Sequence, residues 1–222
     1  MNLPDTISRP VLAGSAVVAG LGPLVGNGLY AGPDATGAAL QRGLADPPAI
    51  QYVAYSLELA GFVAMAVLFA ALCTWLWRRT PVAAGSAAIS IAAGLAVKVG
   101  SITPTMAVAA SDDPIDAATV DAMVGIGETA FVVFGFLAAV AFTAVGLGLL
   151  RTDAPRWLAW WATVAGALGI VAAGVGVLDP DRYVFVPFLA LLLWQLVLGA
   201  TVAFGRPAVV AARADMAVAV PE

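Results

Sequence analysis

The sequence predicts an all-α, polytopic membrane bundle of about six helices, and three observations carry that reading. Of 222 residues, 62% are hydrophobic and 11% charged, with mean hydropathy +0.97; soluble domains carry roughly 25% charged residues. Apolar stretches recur at the ~20-residue length a bilayer-spanning helix needs. Arginines gather in alternate connections, the asymmetry that orients membrane proteins.

The first span covers about residues 11–31 and is weakened by Gly22-Pro23 and Gly26-Asn27-Gly28. It reads as a retained helix rather than a cleaved leader, because its n-region sets Arg9 against Asp5 and its apolar run exceeds the 7–15 residues of an h-region. The loop Gly32–Ala49 has room for a short surface helix over Ala35–Leu44. The second span, about 50–77, ends at Arg78-Arg79, and the third, about 81–110, opens on Pro81. The fourth, about 118–150, exceeds a bilayer's thickness and is expected to tilt or protrude. The fifth covers about 155–178 and the sixth about 183–204. Residues 1–206 thus form a single bundle, and 207–222 a cytoplasmic tail too short to span.

Arg9, Arg78, Arg79, Arg151, Arg156, Arg206 and Arg213 fall on one side of this arrangement, and only Arg42 and Arg182 on the other, among many aspartates. Both termini are therefore expected inside, in a prokaryotic plasma membrane. Trp75, Trp77, Trp157, Trp160 and Trp161 sit at inner span ends and Tyr30, Tyr52, Tyr55 and Tyr183 near outer ones, as an interfacial belt requires. Runs of Ala, Gly and Ser in the third and fifth spans suit close helix packing. They mark those spans as central, or as surfaces for a homo-oligomer or a membrane partner beside the lipid bilayer itself.

Several functions are excluded. The chain has no histidine, so histidine-ligated haem or metal sites and histidine-assisted nucleophilic catalysis are ruled out. Its one cysteine, Cys73, lies within an apolar run, which leaves no intramolecular disulfide and no cysteine metal cluster. The acidic balance, net charge −4, argues against nucleic-acid binding. No cofactor or metal is expected. The group Asp112-Asp113-Pro114-Ile115-Asp116 reads as a solvated acidic loop.

What remains is a set of charges inside apolar segments, where each costs ~2.5–3.5 kcal/mol on insertion scales. Glu58, Lys98 (the only lysine) and Glu128 fall on the second, third and fourth spans. At 1.5 Å per helical residue they lie roughly 12, 18 and 15 Å from the outer span ends, and Gln195 of the sixth span is at similar depth. Gly94, Lys98, Ser101 and Thr105 share one helical face; Gln51, Tyr55 and Glu58 share another, and Asp121, Gly125 and Glu128 a third. Pro104 interrupts the first of these and frees a backbone carbonyl. The three stripes predict a polar vestibule with Asn27 at its edge. Two readings follow: a site that handles a proton or a cation in a small transport-type or ligand-sensing protein, and a salt bridge that only fixes helix register in an accessory subunit. A histidine-free enzyme acting on a lipid is a third, and it would rely on Glu58, Glu128, Asp121 and Tyr55 as acid/base groups.

The segment Leu149-Leu150-Arg151-Thr152-Asp153-Ala154-Pro155-Arg156-Trp157-Leu158-Ala159-Trp160 resembles a stretch of prokaryotic multi-pass membrane proteins grouped as a domain of unknown function. The resemblance implies six helices and no particular activity.

Overall fold

The structure, a computed structural model, describes residues 8–29, 37–46, 49–179 and 182–204. Among them lie eight helices and no strand: α1 (Arg9–Leu29), α2 (Gly37–Ala45), α3 (Ala49–Trp77), α4 (Pro81–Gly100), α5 (Ile102–Ala109), α6 (Ala117–Leu149), α7 (Arg156–Leu178) and α8 (Val186–Phe204). Six stretches are long and apolar enough to cross a membrane, with α4 and α5 together forming one of them. The protein is a polytopic membrane bundle of helices. The tail after residue 206, Tyr30 and the first part of the expected surface helix, Ala35 included, lie outside the described residues.

The long helices close into a ring in chain order: α1 packs on α3, α3 on α4, α4 on α6, α6 on α7, α7 on α8, and α8 returns to α1. Arg9 seals the closure by donating from Nη2 to the Val202 carbonyl at 2.7 Å. The centre is filled by large side chains, among them Phe69, Phe134, Phe142 and Trp194, each at most 1% exposed. Trp194 Nε1 donates to the Leu158 carbonyl at 2.8 Å, which satisfies its one polar atom.

The first span forms as one helix through its weak point at Pro23. A helical proline loses one backbone hydrogen bond, yet α1 continues to Leu29 because its glycines let it press on α3. A Cβ at Gly26 would lie 2.8 Å from the Ala54 carbonyl oxygen, and one at Gly61 would collide with the Pro23 ring. Two expectations are corrected. The third span, expected as one helix, divides at Ser101 into α4 and α5. Pro104 cannot donate to the Gly100 carbonyl, and Ser101 Oγ donates instead to the Lys98 carbonyl at 2.7 Å. The small-residue spans are also not central: 22% of the most apolar stretch of α4–α5 is buried and 33% of α7, against 61% of α6. Small side chains allow close approach on one face but do not require neighbours all round.

A close crossing joins α6 to α7 through two matching triplets, Ala139-Thr143-Gly146 and Ala159-Thr163-Gly166. A Cβ on Gly146 would lie 2.6 Å from Thr163 N and 2.8 Å from the Ala159 oxygen. One on Gly166 would lie 2.7 Å from Thr143 N and 2.8 Å from the Ala139 oxygen. Each threonine turns its hydroxyl to its own helix, Thr143 to Ala139 at 2.8 Å and Thr163 to Ala159 at 2.9 Å. No polar group is left facing lipid at the contact.

At the end of the bundle where α3 and α6 begin, α2 forms a small cap. Leu40, Val108 and Val120 bury one another. Gln41 ties the loop before α6 by donating to the Asp113 carbonyl at 3.0 Å and accepting from Ile115 N at 3.2 Å. Gly37 adopts φ +55°, which an L side chain rarely accepts, and its N–H donates to Asp121 at 3.0 Å. Asp116 caps α6, accepting from Thr119 N at 3.0 Å and from the Thr119 hydroxyl; these bonds hold its carboxyl below the usual range.

Candidate functional site

The geometry brings together two of the three charges that the sequence places in apolar segments. Lys98, in the last turn of α4, reaches across to α3 and places Nζ 3.5 Å from Glu58 Oε1. The same Nζ stands 5.3 Å from the centre of the Phe131 ring of α6. The spacing of each helix builds the rest. Four residues from Glu58 is Phe62, four from Lys98 is Gly94, and three from Phe131 is Phe134, so the layer beneath the pair is aromatic. Phe62 meets Phe134 edge-on at 5.4 Å, and Phe134 meets Phe188 at 5.8 Å. Gly94 makes room for this layer, since a Cβ there would come within 3.3 Å of Phe134.

The segment between α7 and α8 supplies the rim. Phe185 stacks on Phe131, centroids 5.9 Å apart at 24°, while Tyr183 meets the same ring edge-on at 5.9 Å. Tyr183 inserts between α6 and α7, where a Cβ on Gly135 would lie 2.7 Å from its hydroxyl. Burial pushes its phenol up to about 12. Because the folded value is raised, this group stabilises the fold below the unfolded value of ~10 and loses that contribution as pH climbs toward 12. Alkaline absorbance titration should show one of the four tyrosines ionising late. That late component should vanish in Tyr183→Phe; its persistence would mean that another tyrosine is responsible.

The pair is partly enclosed. The side chains of Lys98 and Glu58 are 16% and 18% exposed, and no charged residue is fully buried among those described. Of the three charges the sequence singled out, Glu58 and Lys98 therefore form a partly enclosed pair. Even so, Glu58 Oε1 is itself sealed from solvent and accepts no hydrogen bond among the described residues, where its ion-pair partner is the Lys98 ammonium.

Glu128 stands apart from the pair. It is exposed on α6 and pairs with no cation among the described residues. Between Ala117 and Thr129 only Val120 of α6 is buried, because these first turns rise clear of the ring beside α2 and α5. Glu128 therefore lies one turn beyond Phe131. The other supporting residues disperse as well. Asp121 holds the backbone of Gly37, and Asn27 Nδ2 donates to the Pro23 carbonyl at 2.7 Å. Ser101 is spent on the helix break. Tyr55 is exposed and Thr105 half-buried. Gln195 is fully buried on α8, with both side-chain polar atoms lacking a hydrogen bond. That helix packs on α1, α6 and α7 and does not reach α3 or α4.

The polar vestibule foreseen from three converging stripes is accordingly not formed by them. A shallow groove of about 680 Å³ runs instead between α1 and α3, lined by apolar and small side chains that include Val11, Gly14, Val18, Leu59 and Val63. No group of three or more metal-ligating side chains occurs among the described residues. Sequence reasoning missed the aromatic partner of Lys98. Phe131 looked like ordinary apolar filling, and only its place under the Lys98 ammonium, with Phe134, Phe185 and Phe188 packed around its own ring, sets it apart. The chain matches no family model, no curated protein and no solved structure.

Proposed function

We propose that this protein is a small transport-type membrane protein whose Glu58 exchanges its Lys98 partner for a proton or a monovalent cation. One observation carries the reading: the only ion pair that joins two spans among the described residues holds a carboxylate oxygen that is sealed from solvent yet accepts no hydrogen bond. A salt bridge selected for helix register alone gains most when its remaining lone pairs are satisfied. This one keeps acceptor capacity in reserve, at a depth where an ionisable side chain is a functional candidate by default. Lys98 neutralises the site at rest, and its long flexible stem lets the ammonium move away from the carboxylate.

The test is proton or cation flux into proteoliposomes loaded with a pH-sensitive dye, under an imposed diffusion potential. Wild type should exceed empty vesicles, Glu58→Gln should return to the empty-vesicle rate, and Glu128→Gln should keep the wild-type rate. Flux that is equal in wild type and Glu58→Gln would end the proposal.

A second reading, an accessory subunit held by a partner, is favoured by the free face of the third span. Ala92, Ala96, Gly100, Thr103 and Ala107 are exposed there at three- and four-residue spacing, the pattern that lets two transmembrane helices approach closely. Disulfide capture of Ala96→Cys in native membranes distinguishes the two, since a monomeric transporter gives no cross-linked species.

A further inference from the structure

We infer that the corner occupied by the Lys98 ammonium is a binding site for small organic ammonium ions, with Lys98 as its tethered resident. The inference deepens the proposed exchange at Glu58 and rests on it, adding the chemical class of the ligand.

The surroundings of Nζ are those by which proteins recognise alkylammonium ions. A carboxylate oxygen lies at 3.5 Å on one side and an aromatic face at 5.3 Å on another. An inorganic cation wants several oxygen ligands, and here it would find one carboxylate and the face of one phenyl ring. An organic ammonium offers methyl or methylene groups to the rings and diffuse charge to their π-faces, an attraction that grows when the site is desolvated. Phe131 is held for this by neighbours on two sides, Phe185 stacked and Tyr183 edge-on. The Phe62–Phe134 layer closes the floor. Access exists from the rim, where Phe185 is 38% exposed.

The occupant is built to leave. Lys98 is tied to the site only through Nζ, at the end of four flexible methylenes. Its backbone stands one turn from the division between α4 and α5 at Ser101. Withdrawal of Nζ frees a carboxylate and an aromatic face of matching size. Binding involves no covalent step: one cation replaces another at Glu58, and the charge of the site is unchanged.

Lys98 is the only lysine of the chain, so its displacement can be read directly. Wild-type protein in nanodiscs is treated with an amine-acylating reagent, with and without tetramethylammonium chloride, against sodium chloride at equal ionic strength. Modification of Lys98 is followed by mass spectrometry. Tetramethylammonium should speed it several-fold while sodium leaves it unchanged. In parallel, calorimetric titration should show Lys98→Met binding tetramethylammonium at least tenfold more tightly than wild type. In that background Phe131→Leu should lose at least tenfold, Phe131→Trp should retain binding, and Glu58→Gln should abolish it. Unaltered acylation together with no binding by Lys98→Met would overturn the inference, as would equal affinity with leucine and phenylalanine at 131. Should Glu58-dependent flux persist in that case, only the ligand class falls; should flux also be absent, the exchange reading falls with it.

Discussion

Gly146→Ala is expected to cost more than the ~1–3 kcal/mol typical of an over-packed core. Alanine is by itself the better helix former, by ~1 kcal/mol, so any loss comes from the crossing. The new methyl would sit 2.6 Å from Thr163 N and 2.8 Å from the Ala159 oxygen. Both are backbone atoms of a helix and cannot rotate aside, so α7 must move as a body. Because Gly166 faces Thr143 in the same way, Gly146→Ala with Gly166→Ala should separate α6 from α7. The readout is thermal unfolding in detergent together with the monodisperse fraction on gel filtration. Gly174→Ala on α7 is the control, since a Cβ there meets nothing within 4 Å, and it should match wild type or exceed it. Equal stability of Gly146→Ala and Gly174→Ala would show that the crossing is looser than described.

The second large effect is an asymmetry at the charge pair. Lys98→Met leaves the Glu58 carboxylate, with its sealed Oε1, without its cation, and Glu58→Gln leaves an ammonium that keeps its attraction to Phe131. Removing one partner of an enclosed pair is costly, whereas replacing both by apolar or neutral groups is often close to neutral. The double variant should therefore be more stable than Lys98→Met alone, with a coupling of about 1–3 kcal/mol, the upper range for contacting residues. Unfolding midpoints of wild type, the two single variants and the double variant in nanodiscs measure this cycle. Additive effects would remove the electrostatic contact on which both functional proposals stand.

Much of the architecture is legible because a bilayer imposes a length and a polarity rule on each segment independently. The expected second, fourth and fifth spans differ from α3, α6 and α7 by a residue or so at either end, and each boundary is set by local chemistry. Arg78-Arg79 closes α3, Pro81 opens α4, and Pro155 precedes α7. Pro104 was legible as a disturbance too, and it became the division at Ser101. Pro23 carried the same local signal, yet α1 runs through it. The difference lies in what each proline faces: Pro23 packs on Gly61 of a neighbouring helix, while the span around Pro104 is exposed on most of its surface.

The site was legible in part. Glu58 and Lys98 were detectable as charges in the wrong medium, and their helical depth made contact plausible. Glu128 satisfied the same criteria and lies elsewhere. Depth along a helix does not say whether neighbours surround it, and the first turns of α6 rise out of the ring. The triplets Ala139-Thr143-Gly146 and Ala159-Thr163-Gly166 were present at a constant offset, hidden in a chain where small residues are everywhere.

By itself the sequence determined that the chain is a multi-pass helical bundle, that histidine and cysteine-cluster chemistry is closed to it, and that a few charges must find partners among apolar helices. Those properties follow from composition and from segment length, which need no knowledge of neighbours. Only the tertiary structure decided which charges meet, that the pair leaves a carboxylate oxygen without a hydrogen bond, and that Phe131 of α6, stacked on Phe185 of the α7–α8 connection, lies under the ammonium. These depend on the rotation of each helix about its axis. In a uniformly apolar chain almost any rotation buries hydrophobic surface, so side-chain fit between helices, rather than hydropathy, selects the one that forms.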